Sequence, residues 1–61
     1  MLIKTIEDKE NGRKWEIYKE SENNYSYKYY EYFNSIGWRL ITNEKNYNKD
    51  AIEWEFDIKV A

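Results

Sequence analysis

The 61-residue chain contains no cysteine, no histidine and no proline, and its only glycines are Gly12 and Gly37. Without Cys or His it can form no disulfide, offers no thiol nucleophile or imidazole base, and lacks the ligands of an ordinary zinc, copper or iron site. Two isolated glycines leave no phosphate-cradling loop and no nucleophile elbow, and no D-x-D-x-D-G calcium loop is present. The expectation is a protein with no cofactor, no metal and no enzymatic activity. No apolar run approaches the ~20 residues that span a bilayer, and no hydrophobic signal-peptide stretch follows Met1, so a soluble, cytoplasmic protein without a membrane partner is expected. A large excess of either charge is also missing. Ten Lys and Arg stand against twelve Asp and Glu, a formal charge of −2. Direct nucleic-acid binding is therefore not expected, because Arg13, Lys14 and Arg39 are too few for an extended phosphate track.

What the chain has in quantity is aromatic rings: three Trp, seven Tyr and two Phe, 20% of the residues. Together with seven Ile, this argues against disorder, since disordered chains are poor in aromatic and β-branched residues. A single domain spanning residues 1–61 is expected. At this size only about 60% of the unfolded chain's surface is buried on folding, and each ring adds roughly 150–250 Å² of coverable area. A core this small cannot enclose twelve rings, so some are left for recognition.

The segment from Leu2 to Glu20 reads as a β-hairpin about Asn11-Gly12, the strongest short turn signal. A two-residue loop places Glu10 opposite Arg13, Asp8 opposite Trp15 and Ile6 opposite Ile17. Leu2, Ile6, Trp15 and Ile17 then form the core face, with Ile3, Thr5, Glu7, Glu16, Tyr18 and Glu20 on the other. Ser21-Glu22-Asn23-Asn24 is a polar connector with helix N-cap chemistry. From Tyr25 to Ile36, helical periodicity gathers Tyr25, Tyr29, Tyr32, Phe33 and Ile36 within an arc of about 100°, and Gly37 follows where a helix places its left-handed C′ residue. A strand would send tyrosines to both faces without segregation, so the helix is the preferred reading. Trp38 to Thr42 is a short strand, and residues 43–50 are a polar loop. Ile52, Trp54, Phe56, Ile58 and Val60 alternate strictly with Glu53, Glu55, Asp57 and Lys59, the pattern of a strand with one wet face. The expected fold is α+β, a ββαββ domain with a four-stranded antiparallel sheet and one helix packed on its apolar face. Trp15, Trp38 and Trp54 are assigned to the core, and Lys4, Lys19 and Lys59 to guarding the sheet edges.

With catalytic chemistry excluded, the function left is interaction with another protein. On the helical reading Tyr27, Tyr30, Glu31 and Asn34 point away from the core, and Tyr47 lies in an exposed loop, which makes them candidate partner-binding residues. Glu53, Glu55 and Asp57, on the same sheet face as Glu7, Glu16 and Glu20, would add an acidic surface suited to a basic one on the partner. Their arrangement on a flat face, without a shielding cleft, is wrong for paired acid–base catalysis. The expected function is non-enzymatic binding that modulates or inhibits a partner by occupancy. The abundance of Asn, Lys, Glu, Tyr and Ile, whose codons are AT-rich, points to an AT-rich bacterial or phage genome, and a phage or mobile-element antagonist of a host defence nuclease is a natural example of such a small binding protein. The alternatives are a small-ligand or nucleotide-binding module built on stacked aromatics, and a structural subunit of a larger assembly. With so small a core, a homodimer is favoured over a monomer.

Overall fold

Each of the first three chain reversals has a residue able to adopt positive φ, and each joins two antiparallel strands. The computed structural model describes residues 1–60 and shows β1 (Leu2–Asp8), β2 (Arg13–Ser21), β3 (Asn24–Phe33), β4 (Gly37–Tyr47) and a C-terminal helix, α1 (Lys49–Phe56). The strands form one sheet in the order β1-β2-β3-β4, every neighbour antiparallel. The fold is thus α+β, four antiparallel strands and one helix, as expected. The order of elements is ββββα rather than ββαββ.

The exchange of helix and strand is the main correction. Residues 25–36, expected to be helical, are mostly β3, and its register puts Tyr25, Tyr27 and Tyr29 opposite Lys19, Ile17 and Trp15. Tyr30 and Tyr32 pair with Leu40 and Trp38 and face the other way. Tyrosines do go to both faces, because neither face of this sheet is simply polar. Gly37 is left-handed (φ +80°), as expected. It sits beyond the β3–β4 turn, which is closed by the Ile36 N–H donating to the Phe33 carbonyl at 3.1 Å.

The last segment, expected to be a strand over 52–60, is α1 followed by a short tail. Asn48 caps the helix by accepting from the Ala51 N–H at 2.8 Å, and Asn23, in the β2–β3 turn, accepts from the Lys49 N–H at 2.8 Å. Two of the orphan donors of the first turn are thereby satisfied. At the other end Asp57 takes the left-handed conformation (φ 53°, ψ 51°) and donates its N–H to the Glu53 carbonyl. Ile52 and Phe56, four residues apart, share the inward face. Trp54, midway between them, points out and is 83% exposed.

The first hairpin forms, with a register two residues from the expected one: Asp8 lies opposite Arg13 and Ile6 opposite Trp15. Its loop is Lys9-Glu10-Asn11-Gly12, held by Asn11 donating through its side-chain amide (2.8 Å) and backbone N–H (3.3 Å) to the Asp8 carboxylate. A shift of two preserves the faces, so Ile6, Trp15 and Ile17 still share one. A bulge between Leu2 and Lys4 reverses the start of β1, and Ile3 rather than Leu2 packs on the core.

The core lies between that face of the sheet and α1. Ile17 and Ile52 are fully buried and Tyr25 nearly so, with Ile6, Tyr27, Tyr47, Phe56 and Ile58 packed around them. The three tryptophans do not join it as a group: Trp15 and Trp38 are half-buried on opposite faces, and Trp54 is in solvent. Of the three edge-guarding lysines, Lys4 is on the outer strand β1, Lys19 is on the inner strand β2 and Lys59 is in the tail.

Candidate functional site

The helix covers only one face of the sheet, so the other, open face meets water with its aromatic rings. They are kept in place by polar partners from neighbouring strands. Tyr18 and Tyr30 both donate to Oε1 of Glu16, at 2.7 and 3.0 Å. The Lys14 ammonium sits 4.6 Å from the centre of the Trp38 ring and 5.0 Å from that of Tyr30, and Lys28 lies 5.1 Å from Tyr18. These contacts follow from register, since Lys14 pairs with Tyr30 and Glu16 with Lys28 across β2 and β3. Ammonium over ring is attractive through the ring quadrupole. The hydrogen bond from Tyr18, helped by Tyr30 and the two lysines, holds the Glu16 carboxyl below its usual value against the opposing effect of burial. The same bond and burial push the Tyr18 hydroxyl up to about 12. Most of this face is therefore self-satisfied: its rings already carry cations and its hydroxyls already have acceptors.

The end of the β3–β4 hairpin is different. Tyr32, Phe33, Ile36, Leu40 and Ile41 are between 42% and 56% exposed. They account for five of the eight large apolar side chains exposed among the described residues; the others are Met1, Leu2 and Trp54. Tyr32 and Leu40 lie on the open face, Phe33 on the opposite one, Ile36 in the turn and Ile41 at a bulge in the outer strand β4. The surface therefore wraps around the tip. Tyr32 meets Trp38 edge to face, with centroids 5.4 Å apart. Beside them, between the hairpin and the first β-turn, is a cleft of about 280 Å³ lined by Glu7, Lys9, Gly12, Tyr32 and Trp38.

The structure disperses the residues singled out by sequence. Tyr27 lies on the helix face, where burial pushes its hydroxyl up to about 12 and its ring meets Phe56 and Tyr47 at 5.0 and 5.5 Å. Tyr47 is thus packed against the core rather than held in an exposed loop. Tyr30 is on the open face beneath Lys14. Glu31 accepts the Tyr29 hydroxyl at 2.8 Å, and Asn34 is exposed in the hairpin turn next to Ile36. Glu53, Glu55 and Asp57 belong to α1 and its cap, not to the sheet, so they make no common surface with Glu7, Glu16 and Glu20. Glu53 is engaged in structure, its carboxylate accepting the Val60 N–H at 3.0 Å. The hairpin-end residues Phe33, Ile36, Leu40 and Ile41 were not singled out by sequence. The signal available for them was Ile36 and Ile41 flanking a Gly turn with no apolar partner across the hairpin.

No family model matches the chain, and neither a curated protein nor a solved structure does. Among the described residues, no three carboxylates converge as metal ligands. Among the same residues no helix is long and apolar enough to cross a membrane.

Proposed function

We propose that the chain is a non-enzymatic binding module that docks another protein on the outer end of its β3–β4 hairpin and modulates it by occupancy. The observation that carries this reading is the concentration of exposed apolar side chains at that end, Phe33, Ile36, Leu40 and Ile41, next to the half-exposed Tyr32. Exposed apolar side chains gathered at one end of so small a domain mark an interaction site. Its surroundings match an interface rim: Arg39 and Asn34 are exposed beside it, and Glu31 lies across from Arg39. A partner with an apolar socket bordered by acidic groups facing Arg39 fits this end. The acidic helix, with Asp50, Glu53, Glu55 and Asp57, lies on another element and is not needed for this contact. Inhibition of a host nuclease by a phage-borne antagonist is one form such occupancy could take; small size and the abundance of residues with AT-rich codons support it.

The test is photo-crosslinking in the source cell with a benzophenone amino acid at Ile36, at Ile41 and, as control, at Thr5. Hairpin positions are expected to give one discrete heterologous adduct that Thr5 does not give. Ile36→Asp and Ile41→Asp should abolish capture of the same partner while the purified variants stay folded. Equal labelling from Thr5, or adducts only between copies of the chain that disappear with Ile41→Asp, would overturn the reading, the second outcome in favour of self-association.

A further inference from the structure

We infer that the cleft between Lys9 and Tyr32 is a site for a nucleoside monophosphate, adjoining the hairpin surface that docks protein and sharing Tyr32 with it. Its floor is Gly12, whose carbonyl accepts the Tyr32 N–H at 2.9 Å. At φ +63° Gly12 holds a left-handed conformation that L side chains rarely adopt, while a Cβ there would make only ordinary contact, 3.4 Å, with the Tyr32 Cβ. One wall is aromatic. Trp38 has Lys14 over its ring and Tyr32 against it, so the free stacking surface is the Tyr32 ring, half of which is in solvent. The other wall is Glu7 and Lys9, both exposed.

The chemistry of these walls selects the ligand. A flat ring is offered a stacking partner, as bases find on protein aromatics. Lys9 at the rim offers an ammonium to a phosphate and Glu7 a carboxylate beside it, so the lining is balanced in charge and the contact with an anionic group rests on Lys9. Glu7 offers an acceptor for an exocyclic amine or a ribose hydroxyl. At about 280 Å³ the cleft is at the lower end of ligand-site volumes. It takes one base with its phosphate at the mouth and excludes a dinucleotide. A continuous strand is not the ligand, because the rings further along the open face, Tyr30 and Tyr18, lie under Lys14 and Lys28.

The experiment is an NMR titration of the full chain with AMP, GMP, CMP and UMP, following the Trp38 indole and Gly12 amide signals. Adenosine and ribose 5-phosphate serve as ring-only and anion-only arms. The expected result is saturable shifts at both positions for at least one monophosphate, with both control arms weaker. Lys9→Ala and Tyr32→Ala should each raise Kd by about tenfold, roughly 1.4 kcal/mol, with the remaining spectrum unchanged as proof of folding. Ile36→Asp and Ile41→Asp should leave the titration as it is, so its failure would not touch protein docking, nor the reverse. Absence of saturable shifts, equal shifts from ribose 5-phosphate, or no response to Lys9→Ala would overturn the inference. A response confined to oligonucleotides would overturn it in favour of strand binding.

Discussion

Glu16 is the residue through which the open face responds to pH. Its carboxylate accepts two tyrosine hydroxyls, and its pKa in the fold is below the ordinary 4.5, first because of Tyr18. A carboxyl with a depressed folded pKa contributes stability that is complete above its unfolded value and is lost as pH falls through the folded one. Stability should thus decline below about pH 4.5, and the decline should be shallower in Glu16→Gln, as urea unfolding at pH 7 and pH 3 would show. Asp8, lowered by its bond to Asn11, contributes in the same direction, so the slope is reduced rather than abolished. The alkaline side has the opposite sign. Tyr18 and Tyr27 move from 10.0 to about 12, and a group whose folded pKa is raised loses its contribution as pH climbs through that window. Tyrosinate absorbance should therefore rise in two stages, with at least these two hydroxyls ionising late and the fold loosening as they do. A single unshifted titration of all seven tyrosines would refute both the bond from Tyr18 to Glu16 and the burial of Tyr27.

At the scale of elements, α1 depends on two asparagines far apart in sequence. Asn48→Ala should cost about 0.5–2 kcal/mol, the usual worth of an N-cap. Asn23→Gly keeps the positive φ of 54° and removes only the bond to Lys49, whereas Asn23→Ala must also force a Cβ into the left-handed region, so the alanine variant should be the less stable of the pair. Chemical denaturation of the three variants gives that ranking. These caps also explain what could be read beforehand. The Asn11-Gly12 turn, the strand after Gly37 and the left-handed glycine were legible because turn chemistry is local. The middle segment was not, because binary patterning presumes one dry and one wet face, and β3 has two half-dry ones: Tyr25 and Tyr27 in the core with Tyr29 against Trp15 on one, Tyr30 beneath Lys14 and Tyr32 against Trp38 on the other. The last segment misled in the reverse sense. Its strict alternation fits a strand, yet the inward pair Ile52 and Phe56 fits an i, i+4 helix equally, and Asn48 with Asp50 just before it was the arbitrating signal.

For the molecule as a whole, a core of two fully buried isoleucines and one tyrosine leaves little in reserve, as expected for a domain of this size. Ile17→Ala and Ile52→Ala should each destabilise by about 2–5 kcal/mol, with Thr5→Ala on the open face within about 0.5 kcal/mol of the parent. Urea midpoints decide it; an Ile52→Ala loss no larger than that of Thr5→Ala would mean that the helix is not part of the core. The candidate site was less legible than the fold class, since which apolar residues remain uncovered depends on where the helix lies, and moving it from 25–36 to 49–56 uncovered Ile36, Leu40 and Ile41 while it sheltered Tyr27 and Tyr47. The strand order carries one more consequence. Because every strand pairs with its neighbour in the chain, each hairpin can close over a short loop without waiting for a distant partner, and topologies of that kind search quickly. The helix is the only piece that must travel, crossing back from the end of β4 to the β2–β3 turn. The meander is expected to assemble first, and the latch at Asn23 to be the last step of folding and the first to open.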